Sequence, residues 1–147
     1  MDYKVVNIKE KLVVGSSIVT SNQENKIGEC WSEFINGGIY QSIPNKKDSK
    51  AIGLYYDYKS DMTDIYNFMC CVEVEKKNSV GLKEVVIPQS NYAKFTIKGN
   101  MITDVIKVWQ KIWEMDLDRK YSYDFEVYHN DSEDINNQTI DIYISIN

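Results

Sequence analysis

The chain has 147 residues, of which 43% are hydrophobic and 27% charged, a balance that fits one globular domain of ordinary composition. Its 22 acidic residues outnumber its 17 basic residues and leave a formal charge of -5. Binding to a phosphate backbone requires clustered cations, and arginine, which most often reads guanine edges, occurs once, at Arg119. The composition therefore argues against direct recognition of nucleic acid.

The sequence also carries no targeting or metal-binding signal. No stretch offers the roughly 20 apolar residues of a membrane-spanning helix, and the first residues lack the pattern of a signal peptide. The cysteines are odd in number and two are adjacent, which disfavours a disulfide framework; they are Cys30, Cys70 and Cys71. Together with the single His129 they do not follow a metal-ligand spacing. We expect a cytoplasmic protein with reduced thiols, no membrane contact, no metal and no cofactor.

Strand-like and helical periodicities follow each other in the first half of the chain. Apolar residues recur at helical spacing around Trp31. Gly37 and Gly38 follow them, and glycine is typical of the residues that end a helix. The predicted elements are one or two strands over 3–20, a helix over 24–37, and strands over 51–58 and 65–76. Turn chemistry between the last two strands favours an antiparallel pair.

The second half, after a polar link at 76–81, repeats this order. Trp109 and Trp113 belong to the clearest helical stripe, and we expect Trp113 to pack in the core. The last strand alternates isoleucines with Asp141, Tyr143 and Ser145, which predicts one apolar and one polar face. The predicted elements are strand-like residues over 82–99 with a break at Pro88, a helix over 104–117, and strands over 121–131 and 136–147.

The two halves therefore share one pattern of strand, helix, strand, strand. The pattern predicts an α+β fold built from a duplicated βαββ module, with repeat one at about 1–78 and repeat two at about 82–147. Trp31 and Trp109 occupy matching positions of the two helices. We expect antiparallel sheets, one main helix per repeat, pseudo-twofold symmetry, and a cleft between the halves where ligands commonly bind.

Glu126 is the main candidate for a binding residue. Strand alternation places it with Asp124 and Tyr128, and places Phe125 and Val127 on the other face. If the Phe125 face packs on the helix, Glu126 faces either solvent or the cleft. In a cleft, a partly desolvated carboxylate attracts an organic cation strongly, and aromatic walls add cation–π attraction of about 0.5–2 kcal/mol.

Aromatic residues supply candidate walls for this cleft. Tyr56 is matched to Glu126 by the repeat, Tyr143 lies on the polar face of the last strand, and Trp31 and Trp109 lie on the helices. Each could instead serve the core, because tyrosine favours strands and tryptophan favours apolar helix faces. The sequence leaves both interpretations open.

Catalysis is not indicated by a sequence motif. The chain has no nucleophile elbow, zinc-binding or phosphate-binding motif. An enzyme would depend on carboxylates and tyrosines, and Glu73 and Glu126 on facing strands could form an acid/base pair.

Three segments resemble one known family. They are an IP…Y-A-x-F segment (Ile87, Pro88, Tyr92, Ala93 and Phe95), the W-x3-W helix and the D-F-E-V-Y strand that holds Glu126. The sequence resembles the GyrI-like small-molecule-binding family, the effector-binding domain of multidrug-responsive regulators. The resemblance implies a pocket for amphipathic, cationic or planar organic molecules, whose charge meets a buried strand glutamate at the position of Glu126. We add Tyr92 to the candidate ligand-binding residues from the same likeness.

The predicted function is non-catalytic binding of small amphipathic organic cations in the cleft between the repeats, as a free-standing effector-binding domain. Such a domain could sequester drugs or serve a separate transcriptional regulator. A protein-interaction module, such as an inhibitor of gyrase, and a hydrolase of reactive organic compounds are the alternatives. A monomer and a homodimer are both compatible with the sequence.

Overall fold

A computed structural model describes residues 1–77 and 81–147. This part of the chain forms eight strands and three helices, in the order β1 (Lys4–Ile8), β2 (Lys11–Thr20), α1 (Ile27–Asn36), α2 (Ile39–Ser42), β3 (Ala51–Tyr56), β4 (Tyr66–Glu73), β5 (Lys83–Ile87), β6 (Ser90–Gly99), α3 (Thr103–Glu114), β7 (Asp124–Tyr128) and β8 (Gln138–Ser145). The predicted polar link at 76–81 and the end of the first repeat at 78 fall on or across residues 78–80, which lie outside the described residues.

Left-handed backbone conformations explain why two strands are shorter than their apolar patterns predict. Asp57 has a φ of 50° directly after β3, and Tyr121 and Asn130, with φ of 53° and 54°, flank β7. An extended strand cannot continue through such a residue. β3 therefore ends at Tyr56 and β7 at Tyr128, although the sequence predicted strands to 58 and 131.

The first turn of α3 is stabilised by the residues that precede it. The Asn100 side-chain oxygen accepts hydrogen bonds from the backbone N–H groups of Ile102 and Thr103, at 2.8 and 2.9 Å. Asp104 accepts one in return from the Asn100 backbone N–H at 2.6 Å. These reciprocal bonds satisfy donors that a helix start leaves free, so the helix begins at Thr103.

All eight strands belong to one antiparallel sheet with the order β1-β6-β8-β7-β3-β4-β2-β5. The sequence predicted antiparallel sheets, with one main helix per repeat. β3 and β7 pair in the middle of the sheet and place Gly53 opposite Glu126. The edge strands β1 and β5 pair with β6 and β2, so each lies beside strands of the other half of the chain.

Both faces of the sheet bury apolar side chains. The face that carries Phe68, Cys70 and Ile142 packs with α1 and α3 in one cluster, and the opposite face buries Leu54, Met69 and Phe125 in another. Asp141 and Ser145 of β8 are 6% and 0% exposed. Two residues of the predicted polar face of the last strand are therefore buried, and the third, Tyr143, is partly buried.

Among the residues described, each helix is too short or too polar to cross a membrane.

Candidate functional site

A cavity of about 780 Å³ lies between helices α1 and α3 and the sheet face beneath them. Three tryptophans and five tyrosines line it, together with aliphatic side chains and few charged groups. The volume falls in the range of pockets that bind drug-sized molecules, about 300–1,000 Å³. An aromatic lining suits flat or bulky apolar ligands.

Glu126 lies at the floor of this cavity and is 1% exposed. Its carboxylate accepts hydrogen bonds from Tyr55 Oη at 3.1 Å, Trp109 Nε1 at 2.5 Å and Tyr128 Oη at 2.9 Å. Strand alternation explains the arrangement, because Glu126 and Tyr128 are two residues apart on β7 and share a face. β3 brings Tyr55 to the same face, and α3 brings Trp109 from above.

Within residues 1–77 and 81–147, the charge of Glu126 has no cationic partner. The ion pairs of the described residues do not include this carboxylate, and its three donors are neutral groups. Burial raises the pKa of Glu126, while the hydrogen bonds from Trp109, Tyr128 and Tyr55 oppose that rise. A buried carboxylate without a counter-ion attracts a cation strongly, because little water screens the interaction.

The two tyrosines beside Glu126 act as fixed hydrogen-bond donors. Burial and the neighbouring negative charge hold the pKa of Tyr55 and of Tyr128 well above the ordinary value. Both hydroxyls therefore keep their protons at neutral pH. Tyr66 lines the same cavity, and burial raises its pKa to about 12.

Trp31 and Trp109 form opposite walls above the carboxylate. The ring of Trp31 lies 5.3 Å from that of Tyr128 in an edge-on contact, and the ring of Trp109 lies 5.1 Å from that of Tyr55. Each contact therefore joins a helix of one half to a strand of the other half. These edge-on and tilted contacts fix the ring planes of the walls.

Gly53 leaves the space that the Glu126 side chain occupies. A Cβ atom at position 53 would lie 2.9 Å from Glu126 Oε1 and 3.2 Å from atoms of both Phe68 and Trp31. The backbone of Gly53 does not adopt the left-handed conformation that favours glycine. Space, and not backbone conformation, is what requires a glycine at this position.

Asp124 shares the face of Glu126 but is neutralised. Its carboxylate pairs with Arg119 at 2.8 Å and accepts bonds from Tyr58 Oη at 2.6 Å and from the backbone N–H and hydroxyl of Ser145 at 2.7 and 2.9 Å. A carboxylate accepts about four hydrogen bonds, so these four donors occupy all of its acceptor sites. Among the described residues, Asp124 is thus ion-paired, whereas Glu126 is held by neutral donors alone.

The structure brings three of the six predicted ligand-binding residues together in the cavity: Glu126, Trp109 and Trp31. Tyr56, Tyr92 and Tyr143 lie on the opposite face of the sheet, where Tyr56 Oη is 2.8 Å from Ser17 Oγ and the other two contact Phe125. This placement differs from the prediction because the Glu126 face, and not the Phe125 face, lies under the helices. Tyr55, one residue before Tyr56, occupies the predicted wall position.

Tyr55, Tyr58 and Arg119 are cavity residues that the sequence did not point to. Trp113 was expected in the core, but it is 37% exposed and also lines the cavity. Tyr128 was recognised as sharing a face with Glu126, but not as its donor. The pairing of Gly53 with Glu126 places Tyr55 on the cavity side, and that register was not visible in the sequence.

The acid/base pair of Glu73 and Glu126 is not formed. Glu73 pairs with Lys11 at 3.0 Å and Lys47 at 3.3 Å. It lines a separate small cavity beside Phe125, on the other side of the sheet. The alternation of β4 separates the two glutamates, because Cys70 and Val72 face the helices and Glu73 faces away.

Known proteins resemble this chain in sequence and in fold. The family of Cass2, integron-associated effector binding protein, matches residues 4–146. The protein YobU of Bacillus subtilis (strain 168), named as a candidate transcriptional regulator, is 24% identical over 97% of this chain and 96% of its own length.

Two solved structures superpose over almost the whole chain. The integron cassette protein VCH_CASS2, from the mobile metagenome of Vibrio cholerae, has a TM-score of 0.77 at 24% identity and covers 99% of this chain and 95% of its own. SAV2435, solved in complex with tetraphenylphosphonium, has a TM-score of 0.82 at 16% identity, with 100% and 94% covered. These superpositions establish the shared fold, and the family match confirms the likeness to effector-binding domains that the sequence indicated.

Proposed function

This chain belongs to the family of integron-associated effector binding proteins, and we propose that its large cavity binds amphipathic organic cations without chemical conversion. The observation that carries the proposal is the Glu126 carboxylate, which is buried under aromatic walls, held by three neutral donors and free of any ion pair among the described residues. A bound cation would supply the missing counter-charge.

The chemistry of the walls favours the same ligand class. Aromatic faces attract cations, by about 0.5–2 kcal/mol for each well-placed ring. A quaternary or delocalised cation needs few hydrogen bonds, and Glu126 has already accepted three of the roughly four that a carboxylate takes. SAV2435, which shares the fold, was solved with such a cation.

We also propose that the fold is a duplicated βαββ module, with repeats at about 1–78 and 82–147 and a pseudo-twofold axis between β3 and β7. The order of elements supports this, since β2, α1, β3 and β4 recur as β6, α3, β7 and β8. The strands on the two sides of the central pair also correspond in order. Outward from β3 they are β4, β2 and β5, and outward from β7 they are β8, β6 and β1. The cavity would then lie at the junction of the repeats.

Replacing Glu126 by Gln tests the role of its charge. We expect wild-type protein to bind tetraphenylphosphonium, and Glu126→Gln to bind it at least about tenfold more weakly, a loss of about 1.4 kcal/mol. Isothermal titration calorimetry measures both affinities. Tetraphenylphosphonium is a suitable probe because its charge does not change with pH.

Glu114→Gln is the matched control, because it removes the same charge from an exposed position of α3. Its affinity for the probe should equal that of the wild type. Equal weakening in both variants would show that overall charge, and not the buried carboxylate, attracts the cation. Equal affinity of wild type and Glu126→Gln would refute the assigned role.

Hydrolysis of a reactive ligand is a second candidate function. Burial raises the pKa of Glu126, so this carboxyl could exchange a proton with a ligand, while the Tyr55 and Tyr128 hydroxyls hold it in place as hydrogen-bond donors. Mass spectrometry of a ligand recovered after long incubation separates the two functions. Recovery of unchanged ligand supports binding alone, and a hydrolysed product supports catalysis.

A further inference from the structure

Arg119 lines the same cavity and has unused hydrogen-bond donors. Its side chain is 6% exposed, and its Nη2 atom donates to Asp124 Oδ2 at 2.8 Å. Its Cζ atom lies 4.3 Å from the centre of the Tyr121 ring. The Nε and Nη1 atoms are buried and have no hydrogen-bond partner among the described residues.

The neighbours of Arg119 cannot supply the missing acceptor. Asp124 already accepts bonds from Tyr58 and Ser145 besides the one from Arg119. Tyr121 presents its ring face to the guanidinium, which attracts the charge but does not accept hydrogen bonds made in the guanidinium plane. Buried polar groups are nearly always hydrogen-bonded in proteins, so an acceptor from outside the chain is the expected partner.

Building on the proposed function, we propose that Arg119 forms a subsite for a ligand oxygen, so that the preferred ligands are organic cations that also carry a carboxylate or carbonyl group. Asp124, which holds the guanidinium, and Glu126 lie two residues apart on one face of β7. That spacing corresponds to about 7 Å along a strand. The group that would bind the oxygen and the group that would bind the cation therefore lie side by side on one face of the sheet.

Contact with the oxygen requires a local adjustment. Neither free nitrogen is accessible to water in this structure. Asp124 holds the guanidinium through one of its three nitrogens, and the proposal requires the group to turn toward the cavity about that bond when the ligand oxygen binds. The subsite thus distinguishes ligands by the position of an oxygen as well as by charge.

Two probes that differ in one end group test this subsite. They are pentyltriphenylphosphonium and (4-carboxybutyl)triphenylphosphonium, which share the cation and have five-carbon chains. Moving an unpaired carboxylate from water into an apolar cavity weakens binding, so a cavity without the subsite favours the pentyl probe. We expect wild-type protein to bind the carboxylate probe at least about tenfold more tightly at pH 7, measured by isothermal titration calorimetry.

Arg119→Lys ties this preference to the guanidinium. Lysine keeps a positive charge beside Asp124, but its donors all lie on one nitrogen and it has no counterpart of the free Nε and Nη1 groups, so the ratio of the two affinities should fall to about one or below. Lys111→Gln, which removes a positive charge from an exposed position of α3, should retain the preference. The comparison of probes on wild-type protein needs no variant, so the proposal stays testable even where Arg119→Lys does not fold.

The outcomes separate this subsite from the cation site. Suppose that wild-type protein binds the pentyl probe, that Glu126→Gln binds it more weakly, and that the carboxylate probe has no higher affinity than the pentyl probe. The cation site then stands and the Arg119 subsite is refuted. A preference that persists in Arg119→Lys also refutes the subsite. If neither probe binds to wild type, the proposed function fails and the subsite with it.

Discussion

Two carboxylates on one strand face have different surroundings in this protein. Asp124 is held by a guanidinium and three further donors, whereas Glu126 is held by neutral donors alone. Both are buried. Residue type alone therefore does not show which carboxylate is ion-paired, because the difference lies in which charges the fold brings beside each group.

The raised pKa of Glu126 predicts a pH dependence of cation binding. As the pH falls, this carboxyl takes up a proton at a higher pH than an ordinary glutamate, whose pKa is about 4.3. Affinity for tetraphenylphosphonium should therefore be full at high pH and decrease with a midpoint above that value. A titration of affinity against pH by fluorescence or calorimetry measures the midpoint.

In Glu126→Gln the residual affinity should show no such midpoint, because the titrating group is gone. The prediction is contradicted by a midpoint at or below 4.3 in wild-type protein, or by the same midpoint in the variant. Thermal unfolding without ligand at each pH controls for loss of folded protein.

Gly53 is expected to set the position of the Glu126 carboxylate. In Gly53→Ala, the new methyl group would crowd Glu126 Oε1, Phe68 and Trp31, so affinity for tetraphenylphosphonium should fall about tenfold. Gly28→Ala is the matched control, because Gly28 also lines the cavity but a Cβ there meets no atom within 4 Å. Calorimetry of both variants measures the difference.

The same glycine substitution in a Glu126→Gln background shows how Gly53 acts. If Gly53→Ala weakens binding by moving the carboxylate, it should cause little further loss where that carboxylate is absent. An equal loss in both backgrounds would mean that the methyl group simply obstructs the ligand.

At the scale of elements, α1 and α3 provide similar walls with different chemistry. Each contributes a tryptophan that packs on a tyrosine of the central strands. Trp109 of α3 donates its indole N–H to Glu126, whereas Trp31 contacts Tyr128 by its ring. The two helices are therefore not equivalent in their effect on the carboxylate.

Phenylalanine substitutions at the two tryptophans should reveal this difference. The bond from Trp109 stabilises the charged form of Glu126 and lowers its pKa. In Trp109→Phe, the pKa of Glu126 should rise further, so cation binding is lost at a higher pH than in wild type. The midpoint of the affinity titration should stay unchanged in Trp31→Phe. Equal shifts in both variants would contradict the assigned hydrogen bond.

Element positions were largely predictable from periodicity. The helices predicted over 24–37 and 104–117 correspond to α1 and α3, and the break at Pro88 separates β5 from β6. Local signals carry this information because helix and strand periodicities depend on neighbouring residues. The strand ends at Tyr56 and Tyr128 were missed, because the left-handed residues that follow them, Asp57 and Asn130, are not glycines and are hard to recognise in a sequence.

At the scale of the whole molecule, the central β3–β7 pair joins the two halves into one sheet. The edge strands strengthen the connection, because β1 pairs with β6 and β5 pairs with β2. Neither half keeps all its strand partners if the other unfolds.

This connectivity predicts one cooperative unfolding transition. Tryptophans of both halves, Trp31 and Trp109, report on tertiary packing, while circular dichroism reports on the sheet and helices. We expect the urea midpoints from tryptophan fluorescence and circular dichroism to coincide. Two separate transitions, or a stable folded fragment of residues 1–77, would contradict the prediction.

The sequence by itself determined the element types, the candidate glutamate and the likeness to an effector-binding family, because these depend on local periodicity and on short segments. The tertiary structure alone decided which strand face the helices cover. Side chains of a strand alternate in direction, so a shift of one residue exchanges Tyr55 for Tyr56 at the cavity. That register is set by long-range pairing of β3 with β7, which no local pattern encodes.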